Sequence, residues 1–551
     1  MGNHSYHLIV VKYTIGKVFF FMKKSWIYFI SGFVGVIVII SFVVPVTIHF
    51  LGKGDTPIVI WGDADFGKYH FPGKGTTDDP YIIDSYIIIT EEDYAISIVQ
   101  TTKHFIIQNC VLQARISAIN LFYVAAETAK INSNVCSNSA RAGIYIDISA
   151  HVSIVNNTCY NNFEHYDSSG IELIHSPYAE VINNSCSFNS IGIYFREDCS
   201  HSVISDNTCF YNKVGIYFDF GLVSNLGYCT LTNNRLIHCG ILLDTNHIHT
   251  FSTFSIENNL VNGKKFDYFY DVDNITITDP SLYGQLYFVE CSEITVHNQN
   301  LSDAIPGLYI SSSENVDLDN NIVTGGISLY YVTNASVTNN VCSNSSEGID
   351  VYSYASILIA NNTCMNCSIG VSLGYGSNSS LINNTCSNNM RGIDLIGVNA
   401  TLIGNTCSNN TQTGISLKVT TALVVNNTIN KNLIGMRLAG SKSCLITFNT
   451  FKENANYSLT LVYDFEYHRN STENVIHHNS FISNNVDGTS QALDNGENNS
   501  WYDSGKNEGN YWSDWMGGGN YTIAGSANAD DPYPLINPPF PFPLLSFYGA
   551  H

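Results

Sequence analysis

The chain is 551 residues long, only 13% of them charged, and its formal net charge is −22. So acidic a balance excludes DNA, RNA and anionic lipid as partners of the main body, and leaves divalent cations, cationic ligands or neutral sugars. The length would hold three average domains, but a solenoid grows without a domain limit, and the repeat found below favours one long domain.

In chain order, residues 1–21 are apolar, aromatic and poor in charge, and Met22 followed by Lys23 and Lys24 offers a second candidate start. Residues 1–25 are therefore read as a short cytoplasmic N-terminus. Residues 26–50 carry no formal charge. That stretch exceeds the about 20 residues that span a bilayer and the core of a signal peptide, and no A-x-A site follows it. It is read as a transmembrane anchor, with a cleaved signal peptide as the alternative. With both lysines inside, everything after about Leu51 is placed outside the cell or in the periplasm. Seventeen N-x-S/T sequons follow the anchor, among them Asn274, Asn334, Asn378 and Asn399. They suit a glycoprotein, although many arise automatically from the repeat.

Residues 51–94 are read as an opening cap, with G-K-G-T-T-D-D-P-Y-I-I-D-S-Y-I-I over 73–88. From 95 to 500 one unit recurs: I-x-N-N-x-C, then G-I-x-L. Ala95, Ala118, Gly143, Gly170, Gly192, Gly215 and Gly240 mark it at spacings of 22 to 27 residues. Gly326, Gly348, Gly370, Gly392, Gly414 and Gly435 mark it at 22, 22, 22, 22 and 21. Each unit holds two short β-branched runs and cannot bury a core alone, so the units must stack. The expected fold is all-β: a single right-handed parallel β-helix of about 16–17 coils behind one transmembrane helix.

Within a coil, side chains alternate inward and outward, so the Ile and Leu of G-I-x-L fill the lumen and x faces out. Asn pairs such as Asn156/Asn157, Asn339/Asn340 and Asn383/Asn384 mark the bends. Asn tolerates left-handed backbone geometry, and its amide can bond the equivalent Asn one coil away. Cys136, Cys159, Cys186 and Cys209 share one slot, as do Cys342, Cys364, Cys386 and Cys407; elsewhere the slot holds Val, Leu, Ile or Phe. That exchange predicts a buried column of free thiols rather than disulfides or metal ligands.

The outward column reads Ser97, Asn120, Tyr145, Glu172, Tyr194, Tyr217, Leu242, and after an irregular stretch Tyr309, Ser328, Asp350, Ser372, Asp394, Ser416, Arg437. Two residues on come Asp147, Ile174, Arg196, Asp219 and Asp244. Tyr145, Glu172, Tyr194 and Tyr217 are thus candidate ligand-binding residues: aromatic faces stack on sugars, and carboxylates bond hydroxyls or hold Ca²⁺. Asp147, Glu172, Arg196, Asp219 and Asp244 are candidates for acid–base work. An ordinary solvated sheet is the competing reading. The period falters between Asn246 and Pro306; one coil with a longer turn is the plain reading, and a functional loop that leaves the stack is the alternative. His477/His478 fall in an Asn-pair-like slot; His247 and His249 would share a strand face, a weak metal pattern without a third ligand, and are read as a pair of solvated turn histidines. No resident metal or cofactor is expected beyond Ca²⁺ bound to carboxylates.

Residues 501–551 are read as a C-terminal cap and Pro-rich tail, containing G-N-Y-W-S-D-W over 509–515 and Asp531-Pro532-Tyr533-Pro534. The opening segment, the I-x-N-N-x-C-x-x-N…G-I-x-L unit and the G-N-Y-W-S-D-W close together resemble the NosD-like periplasmic and surface β-helix proteins, over roughly 73–515. The resemblance implies the fold. It also links such proteins with copper delivery, but six Met and no Met/His cluster give that role no donor set here. The leading expectation is a membrane-anchored extracellular rod, monomeric, that binds a glycan or another surface polymer without altering it. A polysaccharide lyase, hydrolase or epimerase is the alternative, and a ligand-free stalk the third reading.

Overall fold

The computed structural model describes residues 56–541, apart from 165–166, 220–226, 245–247, 302, 398 and 420, together with short paired strands at Val10–Val11 and Phe20–Phe21. The expected anchor at 26–50 lies outside the described residues. Among the described residues no helix is long and apolar enough to cross a membrane.

From residue 56 onward the chain winds into a parallel β-solenoid of about 17 turns. Three strands make a turn, and each strand pairs in parallel with its equivalent one turn later. Sheet 1 holds the G-I-x-L strands, such as Ile191–Arg196 and Val214–Asp219; sheet 2 holds those before the Asn bend, such as Val203–Ser205; sheet 3 holds those after it, such as Thr208–Phe210. Register is kept residue for residue: Cys136 faces Cys159, then Cys186, Cys209, Leu236 and Val261. All fifteen cysteines are free and buried. Burial pushes thiols such as Cys199 and Cys239 upward, so they stay neutral and act as small hydrophobes.

Both halves of the Asn pair have a job. The first Asn of each of nine pairs, from Asn156 to Asn426, sits in the left-handed region with φ between 54° and 58°. The second lies inside and forms an amide ladder. Asn384 donates to Asn405 Oδ1 at 2.9 Å and to the Ile359 carbonyl at 2.8 Å, and accepts from the Asn362 backbone and side chain at 3.0 Å. A second ladder, Asn389, Asn410, Asn432, Asn454 and Asn484, lines the bend before sheet 1 and ends on the side-chain oxygen of Gln491.

The irregular stretch divides the solenoid into an N-terminal stack, with eight-stranded sheets, and a C-terminal stack, with a ten-stranded third sheet. Between them lie one helical turn, Ile248–Phe251, and a hairpin of Leu260–Val261 with Lys264–Tyr270. Buried Gln285 bridges the joint. Its side-chain oxygen accepts from the Ile241 amide at 2.9 Å, and its amide donates to the carbonyls of Ile241 and Pro306, both at 2.7 Å. A side chain thus replaces the strand partner that the last regular rung lacks. The apolar core likewise falls into two large clusters, the first of which reaches across the joint to Tyr309. At the far end Trp512 stacks on Phe481 at 4.2 Å and Tyr521 on Trp512 at 4.0 Å, which closes the lumen. The Trp512 and Trp501 indoles donate to the carboxylates of Asp531 and Asp494 at 2.9 and 3.0 Å.

Candidate ligand-binding face

Sheet 1 brings the outward column together in register: Asn120, Tyr145, Glu172, Tyr194, Tyr217 and Leu242 pair in sequence. These side chains point away from the lumen as expected, but most do not reach solvent. Glu172 is 1% exposed, Tyr194 4% and Tyr145 9%. The cover comes from the column's own neighbours. Arg141, in the turn before its strand, lays its guanidinium 3.9 Å over the Tyr145 ring and reaches Glu172 with two hydrogen bonds of 3.0 and 3.1 Å. Arg196 approaches Glu172 at 3.5 Å and Asp219 at 3.8 Å. The Tyr194 hydroxyl donates to Asp219 at 2.9 Å, and its ring stacks on Tyr217 at 4.9 Å. Tyr145 donates to Asp147 at 3.1 Å, and Asp147 meets His175 at 3.4 Å. Burial pushes the phenols of Tyr145 and Tyr194 well above their usual range. The face presents Tyr217, Arg196 and Asp219 at its partly open fringe, while Glu172 is sealed beneath two guanidinium groups. The side chain of Asp244 lies outside the described residues, as do His247 and the side chain of His249.

The same face opens where the two stacks join. Leu242 and Leu243 from the last regular rung, the Ile305 and Pro306 loop, and the column residues Tyr309 and Ser328 enclose a cavity of about 420 Å³. Tyr330, Tyr331 and Tyr352 rim it, and Glu347 contributes a carboxylate. Successive rings run along the wall, with centroids 5.7 Å apart from Tyr309 to Tyr330 and 6.2 Å from Tyr330 to Tyr352. Tyr330 donates to Asp350 at 2.8 Å. Burial pushes the carboxyls of Glu347 and Asp350 above the ordinary carboxylate range. The volume falls within the roughly 300–1,000 Å³ of small-ligand sites, and aromatic walls with one or two carboxylates suit a sugar. The faltering period marked this location in the sequence; the lining did not follow from it, because the walls come from residues more than a hundred positions apart.

A second concavity, a broad trough of about 1230 Å³, runs along sheet 2 of the C-terminal stack from Glu293 to Leu445. Its lining is Ser, Thr, Asn and aliphatic side chains together with Glu293 and Asp317, without an aromatic ring. Near the C-terminal cap, His477, His478 and Asp503 place ring nitrogens and a carboxylate oxygen within 4.8 Å of one another. His478, not His477, holds the left-handed bend, with φ 54°, and Asn479 continues the ladder, so the slot is shifted by one from the sequence reading. His477 is half-buried and His478 buried. Burial, and next the neighbouring His478, lower the His477 pKa to about 4.

No curated protein matches the chain. Among solved structures it is similar to a mannuronan C-5 epimerase A-module of Azotobacter vinelandii, at 13% identity over 62% of this chain and 84% of that one, with a TM-score of 0.31. It is also similar to the tailspike protein of Dettilon, at 14% identity over 75% and 62%, TM-score 0.25. A third likeness is to PfbA, a surface adhesin of Streptococcus pneumoniae, at 12% identity over 67% and 84%, TM-score 0.24. Residues 94–260 match the family model of a right handed β-helix region. Residues 233–354 and 323–521 match the model described as periplasmic copper-binding protein (NosD). That match takes in more than half of the chain, so the protein belongs to the NosD family of right-handed parallel β-helix repeat proteins.

Proposed function

We propose that this protein is an extracytoplasmic β-helix, held at the membrane by residues 26–50, that binds a glycan or a similar polymer along sheet 1 without altering it. The periplasmic setting in the family's description supports the location. The observation that carries the ligand reading is the cavity at the joint, where Tyr330, Tyr331 and Tyr352 stand half-exposed to exposed beside Glu347. A chain seated there would run on over the fringe of Tyr217, Arg196 and Asp219. Tyr145, Glu172 and Tyr194 then serve as the rigid floor beneath it, locked by Arg141 and by ring stacking.

The acid–base alternative finds less support. A general acid or base must reach the proton it moves, and Glu172 is committed to two guanidinium groups and hidden from solvent. The test is a polysaccharide pull-down and glycan array with the full-length protein. Tyr330→Ala combined with Tyr352→Ala should lower affinity at least tenfold, as the loss of two stacking rings implies. Tyr194→Ala with Tyr217→Ala should weaken binding less. Undiminished binding by the Tyr330/Tyr352 variant would remove the cavity from the proposal.

A further inference from the structure

The His477/His478 pair has no part in the glycan reading, and its geometry is unlike that of the other bends. In most rungs an Asn fills the left-handed bend and the preceding residue is an ordinary strand end. Here two imidazoles meet with Nδ1 facing Nδ1 at 2.6 Å and ring planes at 81°. His478 Nε2 lies 2.8 Å from the Glu508 carboxylate. A carboxylate can only accept, so the His478 proton sits on Nε2 and its Nδ1 turns a lone pair toward His477. The Thr447 hydroxyl stands 3.2 Å from His477 Nδ1; in the tautomer with the His477 proton on Nε2, that atom carries a second lone pair, which reaches an ion once the hydroxyl turns its proton away. Phe448 stacks under His478 at 5.0 Å and holds its ring. Asp503 closes the open side from a turn whose ends are tied by the Asp503 amide and the Glu508 carbonyl at 2.8 Å. Asp503 Oδ2 also stands 3.8 Å from the Lys506 ammonium.

Two converging lone pairs and a carboxylate are a donor set. Two nitrogens about 2.0 Å from one ion at a right angle stand about 2.8 Å apart, close to the spacing seen here. Imidazole with carboxylate suits Cu²⁺, Ni²⁺ and Zn²⁺. A ligating histidine usually donates its other N–H to a carboxylate, the position that Glu508 holds. We propose that His477, His478 and Asp503 form a binding site for one divalent transition-metal ion, with Glu508 as the outer carboxylate that orients His478. The assignment stands on these side chains and is independent of the glycan cavity. It fits the copper in the family's description, for which the sequence alone offered no donors.

The competing arrangement is a proton shared between the two Nδ1 atoms, with no metal affinity. Calorimetric titration of the full-length protein with Ni²⁺, Zn²⁺ and Cu²⁺ at neutral pH separates the two. One equivalent should bind, and the Cu²⁺ complex should show nitrogen coupling in its electron paramagnetic resonance spectrum. His478→Asn keeps the bend, because Asn fills it in other rungs, and removes one imidazole; it should weaken binding at least 30-fold, as should His477→Ala. Glu508→Gln should weaken it about tenfold. Circular dichroism checks that each variant is folded. The proposal falls if the wild type takes up no ion, or if the folded double variant His477→Ala/His478→Asn keeps the wild-type stoichiometry and affinity.

Discussion

At the scale of the residue, the two halves of each Asn pair do different work, and the difference is measurable. Asn384 has no exposure and satisfies donors and acceptors on three turns. Asn384→Ala removes an acceptor for the Asn362 amides and a donor to Ile359, and should cost about 3 kcal/mol. Asn383, at φ 55°, is exposed and needs only a residue that tolerates a left-handed bend. Asn383→Gly should therefore cost under about 0.5 kcal/mol. Urea titration of the two variants checks the pair, and equal losses would mean that the ladder contributes little. The sequence predicted both left-handed geometry and an amide ladder for these positions. It could not divide the tasks within N-N, because both atoms of the argument, the φ angle and the amide, belong to the same residue type. The same ambiguity shifted His477/His478 by one place, and the Asp503 carboxylate that joins them comes from a turn some twenty-five residues later.

At the scale of the element, the G-I-x-L strand shows what alternation fixes and what it leaves open. Period 2 correctly assigns which side chains enter the lumen. Exposure of the other set depends on what packs over it, and that was set by Arg141 and Arg196, two of only 24 basic residues in the chain. Scarce arginines beside an acidic, aromatic column were the available signal that the column would be sealed. The opening glycine of the strand is a packing requirement. A Cβ on Gly370 would lie 2.6 Å from the Gly392 carbonyl oxygen and 2.9 Å from the Asn389 amide. Backbone of the next turn cannot retreat without spoiling the ladder, so Gly370→Ala should destabilise by about 2–3 kcal/mol, as overpacking does. Gly67→Ala, where a Cβ would meet nothing within 4 Å, is the control and should leave the melting temperature unchanged.

At the scale of the whole molecule, the repeat, its faltering and the closing motif were legible because each is a pattern along the chain. The joint's internal chemistry was not, since Gln285 finds Ile241 across 44 positions and no spacing rule connects them. That one amide has a consequence for how the rod comes apart. In a linear array each unit is steadied only by its neighbours, so a loss of order travels until it meets a weak coupling. The two large apolar clusters abut across the joint, where side-chain bonds of Gln285 stand in for the strand ladder, which makes the joint a firebreak. The protein should unfold in two steps, with the halves melting independently of each other. Trp501 and Trp512 are buried at the C-terminal end, whereas Trp61 in the first strand is already 65% exposed, so the change in indole fluorescence on unfolding reports mainly the C-terminal half while circular dichroism follows both. The two urea curves should fail to coincide, and Gln285→Leu should drive them further apart; superimposable curves would mean that the rod behaves as one cooperative body. A firebreak also limits damage: a nick or a lesion in one stack would leave the other standing, each with its own fate.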